Sequence, residues 1–252
     1  MMNKDEFAQN QSAITDKNIL LAESQLRKQY RKLMKHIVAD FESVYDKLLS
    51  EKENPTPADL YKLQRYWELF AQVRVKLQKM GETQINLLTS VLEKNYETVY
   101  KSIPLPQTFP TTLDTSILKA VWCADGKTYS ERIWENTEKL AQTLNDELVS
   151  CIATGKKTTE LKNELRKRFN VSYSAVDCLT RTEMAHAQTL AAQQRYKDAG
   201  ITEVEVWAEQ DERKCDECAR LHKKRFPIGE KPKVPVHPQC RCCILPVIGQ
   251  ES

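Results

Sequence analysis

Glycine is scarce, at 6 residues in a chain of 252. Tight glycine turns are therefore few, which disfavours a many-stranded sheet and favours long helices. No run of about 18 apolar residues occurs, so neither a transmembrane helix nor a membrane partner is expected. The opening stretch MMNKDEFAQNQSAITDKN lacks the apolar core of a signal peptide, and synthesis in the cytoplasm is expected. Charge of one sign is also missing. Lys plus Arg number 38 against 35 for Asp plus Glu, a formal net charge of +3. That balance excludes nucleic-acid binding by overall charge alone. The metalloprotease H-E-x-x-H, the phosphate loop G-x-x-x-x-G-K-[ST] and the nucleophile elbow G-x-S-x-G are all absent. Glu183 and His186 stand in the wrong order and spacing for a zinc deaminase, and Lys214, not proline, precedes Cys215. No enzyme is expected.

What the chain does have is helical periodicity. Ile19, Leu26, Tyr30, Leu33, Ile37, Phe41, Val44 and Leu48 recur at steps of three, four and seven, which predicts a helix over 19–50. Asn54-Pro55-Thr56-Pro57 breaks it. A second helix is predicted over 58–80, with Leu60, Leu63, Trp67, Phe70 and Leu77 inward and Gly81 as its C-terminal cap, and a third over 82–101. Three prolines between Ile103 and Pro110 predict an extended connector. Beyond it, Ser130 is read as capping a helix that buries Ile133, Thr137, Leu140, Leu144, Leu148 and Cys151 and ends at Gly155. A short basic helix then starts at Thr158 or Thr159, and Ser174 opens a longer one that stops at Gly200. Thr202–Trp207 alternates with period two and is the clearest strand.

Five of the eight cysteines crowd into 215–243. Cys215-Asp216-Glu217-Cys218 is followed by His237-Pro238-Gln239-Cys240-Arg241-Cys242-Cys243. In a cytoplasmic chain such a cluster points to metal more than to disulfides. A C-x-x-C turn offers two thiolates and an H-x-x-C turn two further ligands, the set a tetrahedral zinc ion takes. The candidates are Cys215, Cys218, His237, Cys240 and Cys242, one more than four places need. Cys215 and Cys218 are common to every set, and spacing alone leaves the other two open between Cys₃His and Cys₄. His222, between the two turns, is expected to face solvent. The stretch 209–243 holds few apolar residues, so one structural zinc would supply much of its folding energy, about 10–16 kcal/mol. A surplus of ligands argues against the open position that a catalytic zinc keeps.

Two further sets of residues stand out. From Arg220 to Arg241 seven cations face Glu230 alone. Lys223, Lys224, Arg225, Lys231, Lys233 and Arg241 are the candidates for gripping phosphates without reading sequence. Arg181 and Glu183 lie two apart on a predicted helix, so they do not share a face. Each is expected to pair with a neighbouring element and fix packing.

The C-terminal half resembles the Mu F-like phage head morphogenesis proteins, also called minor head or minor capsid proteins. The residues that carry the resemblance are Trp122, Asp125-Gly126-Lys127, Ser130–Trp134, Arg181-Thr182-Glu183, Trp207, Asp211–Cys218, His237–Cys242 and Pro246, spanning about 115–248. Family members often carry an Asp-Gly turn after the first cysteine pair. Leu221–Phe226 has no glycine, so the turn there must take another form.

The resemblance implies a structural protein of the phage head, found in the virion and assembled in the host cytoplasm. Its implied partners are the portal protein, capsid subunits or both, with phage DNA as a non-specific contact. The alternative is a zinc-stabilised DNA-binding module used in packaging or delivery. The expected architecture is a mainly helical α+β protein, with long N-terminal helices followed by a small mixed domain carrying a zinc-stapled C-terminal knuckle. Residues 1–103 form a helical assembly or docking arm, 104–116 the connector, and 117–252 the head morphogenesis domain with the cluster at 215–243.

Overall fold

The computed structural model describes residues 3–106, 113–209 and 214–249. It is mainly helical with one small sheet, as the composition leads one to expect. Helix α1 spans Lys4–Glu51 and starts well before Ile19. After the proline break come α2 (Pro57–Lys62) and α3 (Gln64–Ser102). Of the connector, residues 107–112 lie outside the described residues. A 3₁₀ turn (Thr115–Lys119) leads to α4 (Tyr129–Ala153) and α5 (Thr158–Asp198). The chain closes with β1 (Glu203–Trp207), α6 (Asp216–Leu221), β2 (Arg225–Pro227) and β3 (Cys243–Pro246).

Several boundaries differ from the expected ones, each for a local reason. Gly81 does not cap a helix but lies inside α3. A Cβ on Gly81 would stand 2.9 Å from Trp134 Cζ3, so the glycine makes room for the indole of α4. Trp67 is not inward but 54% exposed. Leu63 is extended and α3 begins at Gln64, so Tyr66, Leu69, Val73 and Met80 join the expected Leu60 and Leu77 in the core. The cap of α4 is Thr128, not Ser130. Its side chain accepts from Glu131 N, and Glu131 bonds back to Thr128 N at 2.8 Å. The inward face expected for α4 is buried throughout. Ser174 opens no helix, because its hydroxyl donates back to Asn170 O at 3.0 Å and α5 runs on through it.

By packing, the residues form two compact units interleaved in sequence. One comprises Glu23–Asn86 and Cys123–Asp177, the other Met1–Ala22, Leu87–Trp122 and Cys178–Ser252. This grouping crosses the sequence regions 1–103, 104–116 and 117–252. The reason lies in partners chosen through space: Gln11 donates to Tyr196 Oη at 3.1 Å, and Asn18 to Asn95 Oδ1 at 3.0 Å.

The first unit is a helical bundle of segments of α1, α3, α4 and α5 with α2. A buried polar group marks its interior, where Tyr30 Oη meets Ser172 Oγ at 2.9 Å and Asn136 donates to both. Tyr45 donates to the backbone at Cys151 and Lys156 and so ties α1 to the end of α4. The second unit holds the sheet, in antiparallel order β2-β1-β3. Val204, Val206 and Ala208 are fully buried, and Glu205, though charged, is only 3% exposed. Its Oε2 takes Lys4 at 2.7 Å and Arg225 at 3.4 Å, so two cations offset the cost of burying it. Tyr196, buried in α5, donates to Ile244 O at 2.9 Å and fastens β3 to the helix.

Candidate metal centre

The cysteine cluster is built on two short turns held by the sheet. In the first, Cys215 caps α6, its Sγ accepting Cys218 N–H at 3.4 Å while its carbonyl accepts Ala219 N–H at 2.9 Å. In the second, Cys240 N–H reaches back to His237 O at 3.1 Å. Gln239 makes that turn possible by adopting φ +58°. A side chain in the left-handed region is uncommon and needs support. The support is Thr182 on α5, whose Oγ1 accepts Gln239 N–H at 3.0 Å while its hydroxyl donates to Cys178 O at 2.7 Å. Beyond Cys242 the chain enters β3, where Cys243 pairs with Trp207.

These turns bring all five expected ligands together, in two triads that share Cys218. One is Cys215, Cys218 and His237, the other Cys218, Cys240 and Cys242. His237 Nε2 lies 3.3 Å from Cys215 Sγ and 3.2 Å from Cys218 Sγ, and Cys218 Sγ lies 3.7 Å from Cys240 Sγ. In a tetrahedron with metal–sulfur bonds near 2.3 Å, sulfurs sit about 3.8 Å apart, and sulfur to nitrogen about 3.5 Å. His237 is also oriented as a ligand would be. Its Nδ1 lies 2.8 Å from Pro238 O, which places the proton on Nδ1 and leaves the Nε2 lone pair toward the sulfurs. The residues fit a soft tetrahedral ion. Cys243 stands apart, buried with Ala8, Trp207 and Leu245.

The electrostatics favour thiolate at two of the sulfurs. The Cys242 thiol and backbone N–H bonded to Cys240 hold that thiol down at about 5 against its burial. Cys215 is lowered chiefly by the Cys218 backbone N–H. Burial pushes Cys218 up to about 12, and the hydrogen bond that the Cys242 thiol makes to Cys240, together with burial, raises Cys242. Burial works against protonation of His237, but the Pro238 carbonyl and the Cys240 and Cys215 sulfurs outweigh it and raise the imidazole. A metal ion would take the place of these shared protons.

The model of the family described as Phage Mu protein F like protein matches residues 142–245, a span that contains both turns and all five ligands. This stretch is similar to the Mu F-like proteins. No curated protein and no solved structure matches the chain.

Within this stretch, Thr182 and Glu183 of Arg181-Thr182-Glu183 each fasten a neighbouring segment. Thr182 holds the His237–Cys240 turn. Glu183 is buried and accepts Trp122 Nε1–H at 2.9 Å. Arg181 lines a cleft of about 460 Å³ beside the cluster, with Thr15, Gln188, Lys214, His237 and Arg241 among the other walls. Thr182 was the residue of the motif to which spacing assigned no role. His186 stacks on Trp122 with ring centroids 4.0 Å apart, and burial lowers it to about 4.

His222 does not face solvent. Its Nδ1 accepts Ala208 N–H at 3.2 Å, and its ring meets the Trp207 ring at 4.7 Å. The turn without glycine is made by Lys223 at φ +64°, whose N–H bonds to Val206 O at 2.8 Å.

The expected phosphate-gripping cations differ in their surroundings. Arg225 is held by Glu205, and Lys233 donates to Trp122 O at 2.9 Å. Burial lowers Lys231. Lys223 Nζ sits 5.4 Å over the Trp207 ring, Lys224 is exposed, and Arg241 is a wall of the cleft. Asp211–Arg213 lie outside the described residues. No helix among the described residues is long and apolar enough to cross a membrane.

Proposed function

We propose that this chain is a minor structural protein of a phage head, acting in head morphogenesis near the portal vertex. One structural zinc ion in the Cys215–Cys242 cluster staples its C-terminal part. The observation that carries this reading is the family match over 142–245 together with a complete soft-ligand cluster inside it. The Mu F-like proteins are head structural proteins, and the cluster is arranged to hold a fold together rather than to present an open metal site. The partners are the portal protein, capsid subunits or both. Zinc follows from the donor set, since thiolates with one imidazole in a tetrahedral arrangement are its usual company.

The test is composition of purified heads. Quantitative mass spectrometry should find the chain at a few copies per particle, and heads assembled without it should not be infectious. A chain absent from purified heads would sink the proposal. Removing residues 1–103 cannot separate an arm from a body, because Lys4, Gln11 and Asn18 pack with partners in the unit that holds the sheet. Docking is better probed by substitutions at exposed apolar side chains such as Trp67 and Val75.

A further inference from the structure

The cluster offers five ligands where a tetrahedral ion takes four. We propose that the metal is bound by Cys215, Cys218, His237 and Cys240, and that Cys242 lies outside the ligand set as a hydrogen-bonding neighbour of Cys240. The inference rests on the metal reading given above and adds the identity of the four ligands.

Four observations carry it. First, Cys215–Cys218 and His237–Cys240 are matching turns of x-x spacing, each closed by a bond between its ends: Cys218 N–H to Cys215 Sγ at 3.4 Å, and Cys240 N–H to His237 O at 3.1 Å. Each turn offers two ligands from one side. Second, three close contacts between the turns run between these four, with Cys242 also near Cys218 and Cys240. His237 Nε2 touches Cys215 and Cys218 at 3.3 and 3.2 Å, and Cys240 Sγ touches Cys218 Sγ at 3.7 Å. Third, Cys240 Sγ receives the Cys242 backbone N–H at 3.5 Å, as Cys215 Sγ receives that of Cys218. Amide N–H groups aimed at a sulfur favour its anionic, metal-binding form. Cys242 is the donor in this arrangement.

The fourth observation is place in the chain. Cys242 immediately precedes β3, whose first residue, Cys243, is paired with Trp207. Cys240 lies in the same turn as His237, closed by its own N–H to His237 O. Charge agrees: three thiolates and one neutral imidazole leave a divalent site at −1, whereas four thiolates leave it at −2, which costs more to bury.

Zinc-edge X-ray absorption on the full-length zinc-loaded protein reads the ligand types without any substitution. Three sulfurs and one nitrogen are expected; four sulfurs would overturn the inclusion of His237. Zinc retention after gel filtration, and affinity by competition with a chromophoric chelator, then separate the two cysteines. Cys242→Ala should keep one zinc per chain with affinity weakened no more than about 10–100-fold, the usual cost of losing a group that bonds to a ligand. Cys240→Ala should lose zinc during filtration. The reverse pattern would overturn the assignment while leaving the metal staple standing. A parent protein that binds no zinc at all would overturn both. Cobalt substitution guards against misfolding in the variants, because the sulfur-to-cobalt charge-transfer band of Cys242→Ala should match that of the parent in intensity. A loss of about one third would place Cys242 among three bound thiolates.

Discussion

Single residues carry more of this fold than their chemistry suggests. At Gly81 two effects compete. Alanine in a helix interior gains about 1 kcal/mol over glycine. Its Cβ would stand 2.9 Å from Trp134 Cζ3 and 3.2 Å from Thr137 Oγ1, and overpacking of this kind costs about 1–3 kcal/mol. The clash should win, so Gly81→Ala is expected to lower stability by about 1 kcal/mol in urea denaturation. Adding Trp134→Leu should restore part of the loss; a stabilised single variant would show that the indole moves aside freely.

Thr182→Val removes the acceptor of Gln239 N–H in the turn that carries His237 and Cys240. A buried donor left unpaired costs about 1–3 kcal/mol. The variant should release zinc to a chelator faster than the parent, with the helical bundle unchanged by hydrogen exchange.

His186 is neutral when packed on Trp122, and its pKa falls from the usual 6.5 to about 4. A lowered imidazole pKa means that the unfolded state binds the proton first. The stabilisation is therefore complete above pH 6.5 and lost as pH falls toward 4, by up to about 3 kcal/mol. Since metal ligands titrate in the same range, the measurement is the difference between parent and His186→Gln. The variant should show the shallower decline of stability between pH 6.5 and 4.

At the scale of elements, the continuous helix α5 is instructive. Its sequence reads as a short basic helix followed by a second one opening at Ser174, because Ser-x-x-Asp is a common start signal. The same serine can satisfy itself by bonding to the preceding turn, and here it does so at Asn170. Local chemistry permits both, and burial on either side decides. Leu161, Leu165 and Phe169 before the serine and Val176, Met184 and Ala187 after it are all buried, so continuity keeps both faces in the core.

The turn from α6 into β2 shows a related compromise. Lys223 adopts φ +64°, at about 1 kcal/mol of backbone cost, while its ammonium lies over Trp207. Lys223→Gly should be neutral or slightly stabilising in thermal unfolding. Lys223→Val should cost more than about 1 kcal/mol, since a β-branched side chain is poorly tolerated there. Equal stabilities would mean that the turn relaxes to negative φ.

For the whole molecule, the proposed zinc staple divides the work with packing. The bundle of Glu23–Asn86 and Cys123–Asp177 has a buried apolar interior of its own. The region 214–249 has few buried large apolar side chains before β3, and its cysteine cluster lies there. Removing the metal with a strong chelator should therefore raise hydrogen exchange in 214–249 and in β1, leaving the bundle protected. Uniform loosening of both units would show that the ion supports more than its own loops. The basic stretch bears on DNA at this scale. Lys223 and Lys224 are exposed, and replacing both by Gln should change the slope of binding against salt by no more than about two units.

The helical content, the inward face of α4, the strand at 203–207, the Cys and His residues that the fold gathers into one cluster and the resemblance of the C-terminal part to the Mu F-like proteins were all legible in the chain. Each rests on spacing along the backbone, which a helix, a strand or a ligand turn turns directly into geometry. Other features depended on what lies opposite in space. Such are the role of Gly81, the contacts of His222 with Ala208 and Trp207, the pairing of Thr182 with Gln239, the partners of Arg225 and Lys233, and the grouping of residues 1–22 with the sheet. No period or motif encodes a partner many residues away; tertiary packing selects it, because a buried polar group or a close-packed ring must be satisfied by whichever side chain the fold brings near.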